Sequence, residues 1–154
     1  MTMGRIKKLI FVSGNDSSRG PMAEAIYKRM DTTGEVEVCS RGTVVLFPEP
    51  INPKALLILA NHETPCEKER SVPFDPAEVT EDTLILTMDE RQKNQLVEDY
   101  GIRERVQTMK AYVSEMGNVW NPYGQSLVAY QECYMELVRL IKKIIYRLTE
   151  SREE

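Results

Sequence analysis

The sequence predicts an α/β fold: one three-layer domain over residues 1–154, with a central four-stranded parallel sheet and helices on both faces. Three observations predict it. Short aliphatic runs alternate with helix-like segments, and parallel strands need such crossovers to connect them. The 154 residues are 42% hydrophobic and 29% charged, the balance of a globular domain long enough to bury its own core. No repeat, low-complexity tract or linker divides the chain.

The first run, residues 6–12, is closed by Ser13-Gly14-Asn15-Asp16 and reads as a buried strand ending in a turn. Pro21 then suits a first helical position, and Met22, Ala25, Ile26 and Met30 recur at helical spacing. A second strand over residues 36–40 lies between Gly34 and Gly42. Three prolines make residues 47–53 a loop, and a helix over 53–60 carries proline in its first turn. Residues 83–88 form the third strand. Asp89 caps the helix that runs to about Tyr100, where Gly101 stops it. A short fourth strand is expected over 106–109. After the loop at 117–124, a helix over 125–148 places Leu127, Tyr130, Tyr134, Leu137, Ile141, Ile144 and Leu148 on one stripe.

Charge and cysteine usage narrow the function classes. The net charge is -4 with both signs interspersed, so nucleic acid loses its usual electrostatic attraction. The apolar run 9–12 is too short for a signal peptide or a membrane span. Cys39, Cys66 and Cys133 are an odd, scattered set that fits reduced thiols in the cytoplasm and no zinc site. The oligomeric state is not legible.

Chemistry concentrates in Ser13-Gly14-Asn15-Asp16-Ser17-Ser18-Arg19-Gly20-Pro21, between the first strand and first helix. Small and polar residues there allow backbone N–H groups to turn inward at a helix N-terminus, which makes a cradle for phosphate or another oxyanion. Arg19 can add a bidentate fork. An ordinary strand-to-helix turn capped by Ser17 or Ser18 fits the same stretch. The pattern is not a Walker loop, because no Gly-Lys-Ser/Thr follows.

This loop, with the rest of the chain, resembles the low-molecular-weight protein tyrosine phosphatase family. Ser13, five residues and Arg19 match the spacing of the family's cysteine, five residues and arginine. Pro21-Met22-Ala23-Glu24 follow as in its usual Ser-Pro-Met-Ala-Glu, with Gly20 at the serine. Further matches stand at Ser40-Arg41-Gly42-Thr43, Asn52-Pro53-Lys54-Ala55, Leu84 through Asp89, and Asn121-Pro122-Tyr123, where the family usually has Asp-Pro-Tyr. The resemblance implies attack of a thiolate on phosphotyrosine, stabilisation of the transferring phosphoryl group by loop and arginine, and protonation of the phenol by the aspartate. No metal or organic cofactor is implied. Gly14, Asn15, Asp16, Ser17, Ser18 and Arg19 would hold phosphate; Tyr123 and Phe47 would wall the phenol slot. The expected partners are a phosphotyrosine protein or a small oxyanion.

Both residues that carry covalent chemistry in the family differ here. Ser13 stands at the nucleophile and Asn121 at the general acid, so with Arg19 they form the catalytic set. A serine hydroxyl stays protonated without an adjacent base, and the only histidine, His62, lies in another segment. A carboxamide has no proton to give at neutral pH. Little or no turnover is therefore expected, whether the pair is a natural divergence or an engineered trap. A non-catalytic phosphotyrosine-binding module is the alternative, and arsenate reduction is disfavoured by the lack of a cysteine nucleophile. Ser18 replaces a second cysteine frequent in the family loop. Aligning Gly14-Asn15 on the family's Gly-Asn pair would put Val12 at the nucleophile; Ser13 keeps the spacing to Arg19. Asp16 could accept loop N–H groups, yet its charge would oppose a phosphate dianion. Residues 67–70 read as a solvated turn and His62 as a solvated helix end.

Overall fold

A computed structural model describes residues 5–153. Four parallel strands, β1 (Lys8–Ser13), β2 (Glu37–Gly42), β3 (Thr83–Thr87) and β4 (Val106–Thr108), form one sheet in the order β2-β1-β3-β4. Among the described residues the α-helices are α1 (Arg19–Met30), α2 (Pro53–Asn61), α3 (Glu90–Tyr100), α4 (Met109–Tyr112) and α5 (Leu127–Glu153), with one 3-10 turn at Pro76–Glu78.

The two-residue period of a strand explains the layers. Leu9 and Phe11 of β1, with Leu84 and Leu86 of β3, face the core made by α1, α2 and α5. Ile10, Val12 and Ile85 face the opposite way, toward Leu96 of α3 and Phe74. Both faces are therefore covered, as the aliphatic runs predict. Val12, fully buried in the second cluster, is excluded from any surface site, and Ser13 is the first β1 residue at the mouth of the sheet.

Capping chemistry sets the helix limits. The Asn52 side chain accepts from Lys54 N, with Pro53 opening α2. Asp89 and Gln92 close a capping box on α3, which ends at Gly101 with φ 67°. Helix α1 begins two residues earlier than expected, at Arg19, because the first turn tolerates Pro21 without needing its missing N–H. The expected fourth strand stops at Thr108. Its hydroxyl accepts from Ala111 N and turns Met109 into the start of α4.

After β2, Thr43 N and Val44 N donate to the carbonyls of Ser13 and Gly14 at 3.0 and 2.8 Å, lashing the loop after β1 to the chain after β2. Gly42 permits this approach. A β-carbon there would lie 2.7 Å from Gly14 O and 2.6 Å from a Val45 methyl. We expect Gly42→Ala to destabilise the fold by about 1–3 kcal/mol through this overpacking, read as a lowered urea midpoint. An unchanged midpoint would contradict the packing argument.

Candidate functional site

A cavity of about 240 Å³ opens where β1 meets α1, lined by Ser13, Gly14, Asn15, Ser18, Arg19, Val44, Asn121 and Tyr123. It lies at the carboxyl end of the central strand, where an open α/β sheet places ligands. Peptide geometry sets its character. In a trans peptide the C=O and the following N–H point opposite ways, and no peptide among the described residues is cis. Ser13 O is turned outward to Thr43 N, Gly14 O to Val44 N, and Ser17 O to Asn52 N. The amides of Gly14, Asn15 and Ser18 are thereby turned toward the cavity, and none donates to a protein acceptor. A ring of amides at the start of α1 favours an anion.

Arg19 completes the cradle. Its side chain is 5% exposed, and Nη1 donates to Val119 O at 2.8 Å and to Asp89 Oδ2 at 3.1 Å. Both bonds run through one nitrogen, so the fork's remaining donors are left for a ligand in the cavity. Asp89 is thus more than the cap of α3, because its second oxygen orients the guanidinium. Sequence reasoning missed this role and also Val119 O, which reaches Arg19 across 100 positions.

Two of the expected phosphate-holding residues do not line the cavity. Asp16, fully buried with φ 54°, points beneath the loop. Its Oδ2 accepts Val72 N at 2.9 Å and pairs with Lys68 Nζ at 3.0 Å. The carboxylate therefore bonds outside the loop, and its charge is met by a cation before it can oppose a ligand. Within residues 67–70, expected as a solvated turn, Glu67, Glu69 and Arg70 are exposed and only the Lys68 side chain, 7% exposed, turns inward. Ser17 is held by Asn15, whose Oδ1 accepts both its N–H and its hydroxyl, at 3.3 and 2.9 Å.

Asn121 and Tyr123 reach the mouth from the loop before α5. Asn121 Oδ1 accepts Tyr123 N at 3.1 Å, and both residues line the cavity. Phe47 is 66% exposed and outside the lining, and Val44 takes the wall instead. The lash between Gly14 and Val44 is the reason: it fixes Val44 beside the loop, while Phe47 lies three residues further along. His62 ends α2 as expected, but it is only partly exposed. It stacks on Tyr134 at 4.2 Å, its Nε2 meets Gln131 at 2.9 Å, and it faces α5, away from the cavity lining.

Burial pushes all three thiols above their ordinary range, Cys133 to about 12, so none is poised as a nucleophile. Among the described residues no group of three metal-ligating side chains clusters, and no helix is long and apolar enough to cross a membrane.

The family model for low molecular weight phosphotyrosine protein phosphatases matches residues 8–154. The chain belongs to that family. It is 31% identical to the low molecular weight protein-tyrosine-phosphatase PtpB of Staphylococcus haemolyticus, over 89% of this chain and 96% of that one. Two solved phosphatases share the fold. A cysteine-to-serine mutant of YwlE arginine phosphatase, with a phosphorylated active-site serine, is 30% identical at a TM-score of 0.87, covering 95% of this chain and 98% of its own. YwlE arginine phosphatase from Geobacillus stearothermophilus is 26% identical at 0.88, covering 96% and 97%. Within this phosphatase family member, the cavity after β1 brings Ser13, Arg19 and Asn121 onto one surface.

Proposed function

We propose that this chain seats the phosphoryl group of a phosphate monoester, phosphotyrosine foremost, in the cradle of loop amides and Arg19, with strongly impaired turnover. One observation carries the reading: outward carbonyls at Ser13, Gly14 and Ser17 leave a ring of amides beside a guanidinium that Asp89 orients. The impairment follows from Ser13 and Asn121, at the positions where the family's chemistry uses a thiolate and a carboxylic acid. A serine there can still carry a phosphoryl group, as the phosphorylated serine of the YwlE mutant illustrates. Because the YwlE relatives are arginine phosphatases, phosphoarginine joins phosphotyrosine as a ligand to test. The exposed ring of Tyr123 in the lining, with exposed Trp120 two residues before Pro122 in the same loop, offers apolar surface to a protein ligand.

A non-catalytic binding module is the second reading, favoured by Asn121, whose Oδ1 is already engaged with the Tyr123 amide. Arsenate reduction is disfavoured because no cysteine stands at the nucleophile position and all three thiols are held above their ordinary range. We read residues 1–154 as a single domain working in the cytoplasm, where reduced thiols persist.

Titration calorimetry with inorganic phosphate tests the cradle. The chain should bind, and Arg19→Ala should weaken binding at least about tenfold by removing a charge-assisted fork. Equal affinity in both proteins, or none in the parent, would overturn the reading.

A further inference from the structure

Three buried side-chain oxygens gather beneath the cradle without a well-formed hydrogen bond, Ser13 Oγ, Asp16 Oδ1 and Ser40 Oγ, although Ser40 is close enough to the Asp16 carboxyl to stabilise its charge. They come together at Gly20. A β-carbon on that glycine would lie 2.9 Å from Ser13 Oγ, 3.1 Å from Asp16 Oδ1 and 3.4 Å from Ser40 Cβ. Gly20 stands where the family commonly has serine, and its lack of a side chain lets Ser13 Oγ and Asp16 Oδ1 close in on the helix start. Ser13 Oγ and Asp16 Oδ1 are therefore at most about 6 Å apart, within reach of proton transfer directly or through one water.

The Asp16 carboxylate is built for one task on that side. Its Oδ2 is fixed by Lys68 and the Val72 amide, which leaves Oδ1 on the side of Ser13 and Ser40. No other base competes. His62 is stacked on Tyr134, and Asp89 is engaged by Arg19 and the first amides of α3.

We propose that Asp16 is the general base that takes the Ser13 hydroxyl proton, so that Ser13 accepts a phosphoryl group covalently. The step rests on the reading that the cradle binds phosphoryl groups. Ser13 Oγ forms a bond to phosphorus as the bond from phosphorus to the aryl oxygen breaks. The Ser13 proton passes to Asp16, directly or through one water, and the departing phenolate keeps the electron pair and takes a proton from solvent. The products are a Ser13 phosphomonoester, a phenol and a transiently neutral Asp16 that reionises to water. Burial, outweighing Lys68 and the Val72 amide, pushes the Asp16 carboxyl above its usual value and strengthens it as a base. Asn121 carries no acid or base function for the second step, so phosphoserine accumulates.

The test incubates the full chain with para-nitrophenyl phosphate and follows phosphoserine by intact mass, beside calorimetric binding of inorganic phosphate. Asp16→Asn should slow Ser13 phosphorylation about 10²-fold or more while phosphate still binds. The double variant Asp16→Asn, Lys68→Met, which leaves no unpaired buried charge, should show the same loss if the single variant folds poorly. A purely structural role for Asp16 is separated by repeating the substitution on a Ser13→Cys background. A thiolate needs no base, so the loss there should stay below about tenfold. Phosphate binding without phosphoserine in the parent, equal phosphorylation rates in Asp16→Asn, or equal losses with serine and cysteine would each overturn the proposal and leave the phosphate reading standing. Absence of phosphate binding in the parent would overturn both.

Discussion

The double variant Ser13→Cys, Asn121→Asp should turn over para-nitrophenyl phosphate where the parent does so feebly. The expectation follows from two separate gains. A thiol has an ordinary pKa near about 8.5, and inward amides with a neighbouring guanidinium lower it, so cysteine at position 13 would stand as thiolate at neutral pH. Aspartate at position 121 would supply the proton that the carboxamide lacks, a contribution typically of about 10²–10⁴-fold. Both act on the displacement, one as nucleophile and the other as acid to the leaving group, but only the nucleophile is indispensable, so the single variants should differ in kind. Ser13→Cys alone should release phenol, but more slowly than the double variant, because loss of the phenolate goes unassisted. Asn121→Asp alone should gain little, since it leaves the nucleophile a hydroxyl. Steady-state release of para-nitrophenol, with a denaturation profile to confirm folding, decides the matter. A folded double variant with no more turnover than the parent would remove Ser13 and Asn121 from the roles assigned to them.

What the sequence disclosed and what it concealed divide along a physical line. The strands and helices were legible because each carries its own local signal: Pro53 behind Asn52, the capping box of Asp89 and Gln92, the left-handed Gly101. The loop was legible because its chemistry sits within nine consecutive residues. Residues that act on the loop from afar were not. Asp89 was read only as a cap, since one carboxylate oxygen satisfies α3 and nothing local shows that the other faces Arg19 across 70 positions. Val44 displaced Phe47 from the pocket wall through a backbone lash, and a lash leaves no mark on side-chain pattern. Lys68 looked like one charge in a solvated run because its partner, Asp16, is 52 residues away. Asp16 itself was judged against a ligand in front of the loop, whereas φ 54° turns its carboxylate behind.

That buried pair leads to the second large expected effect. Lys68→Met should destabilise the chain by about 3–5 kcal/mol, because removing one partner leaves a carboxylate with no exposure and no countercharge. This is a large part of the total stability of an ordinary domain, so the urea midpoint should fall steeply. Replacing both charges, as Asp16→Asn with Lys68→Met, should recover most of the loss, since a matched neutral pair avoids the desolvation cost that the ion pair only offsets. The pH dependence carries the sign. Burial, the dominant influence, already holds the folded Asp16 carboxyl above 3.8 against the pull of Lys68, and loss of Lys68 raises it further. A carboxyl with a raised folded pKa contributes stability that is complete below its unfolded value and lost as pH rises through the folded one. The deficit of Lys68→Met should therefore be smallest near about pH 4 and widen toward neutrality. A deficit that stays constant over that range would mean that Lys68 holds the loop through its bond to Ser40 O, at 3.1 Å, and that Asp16 keeps its charge without it.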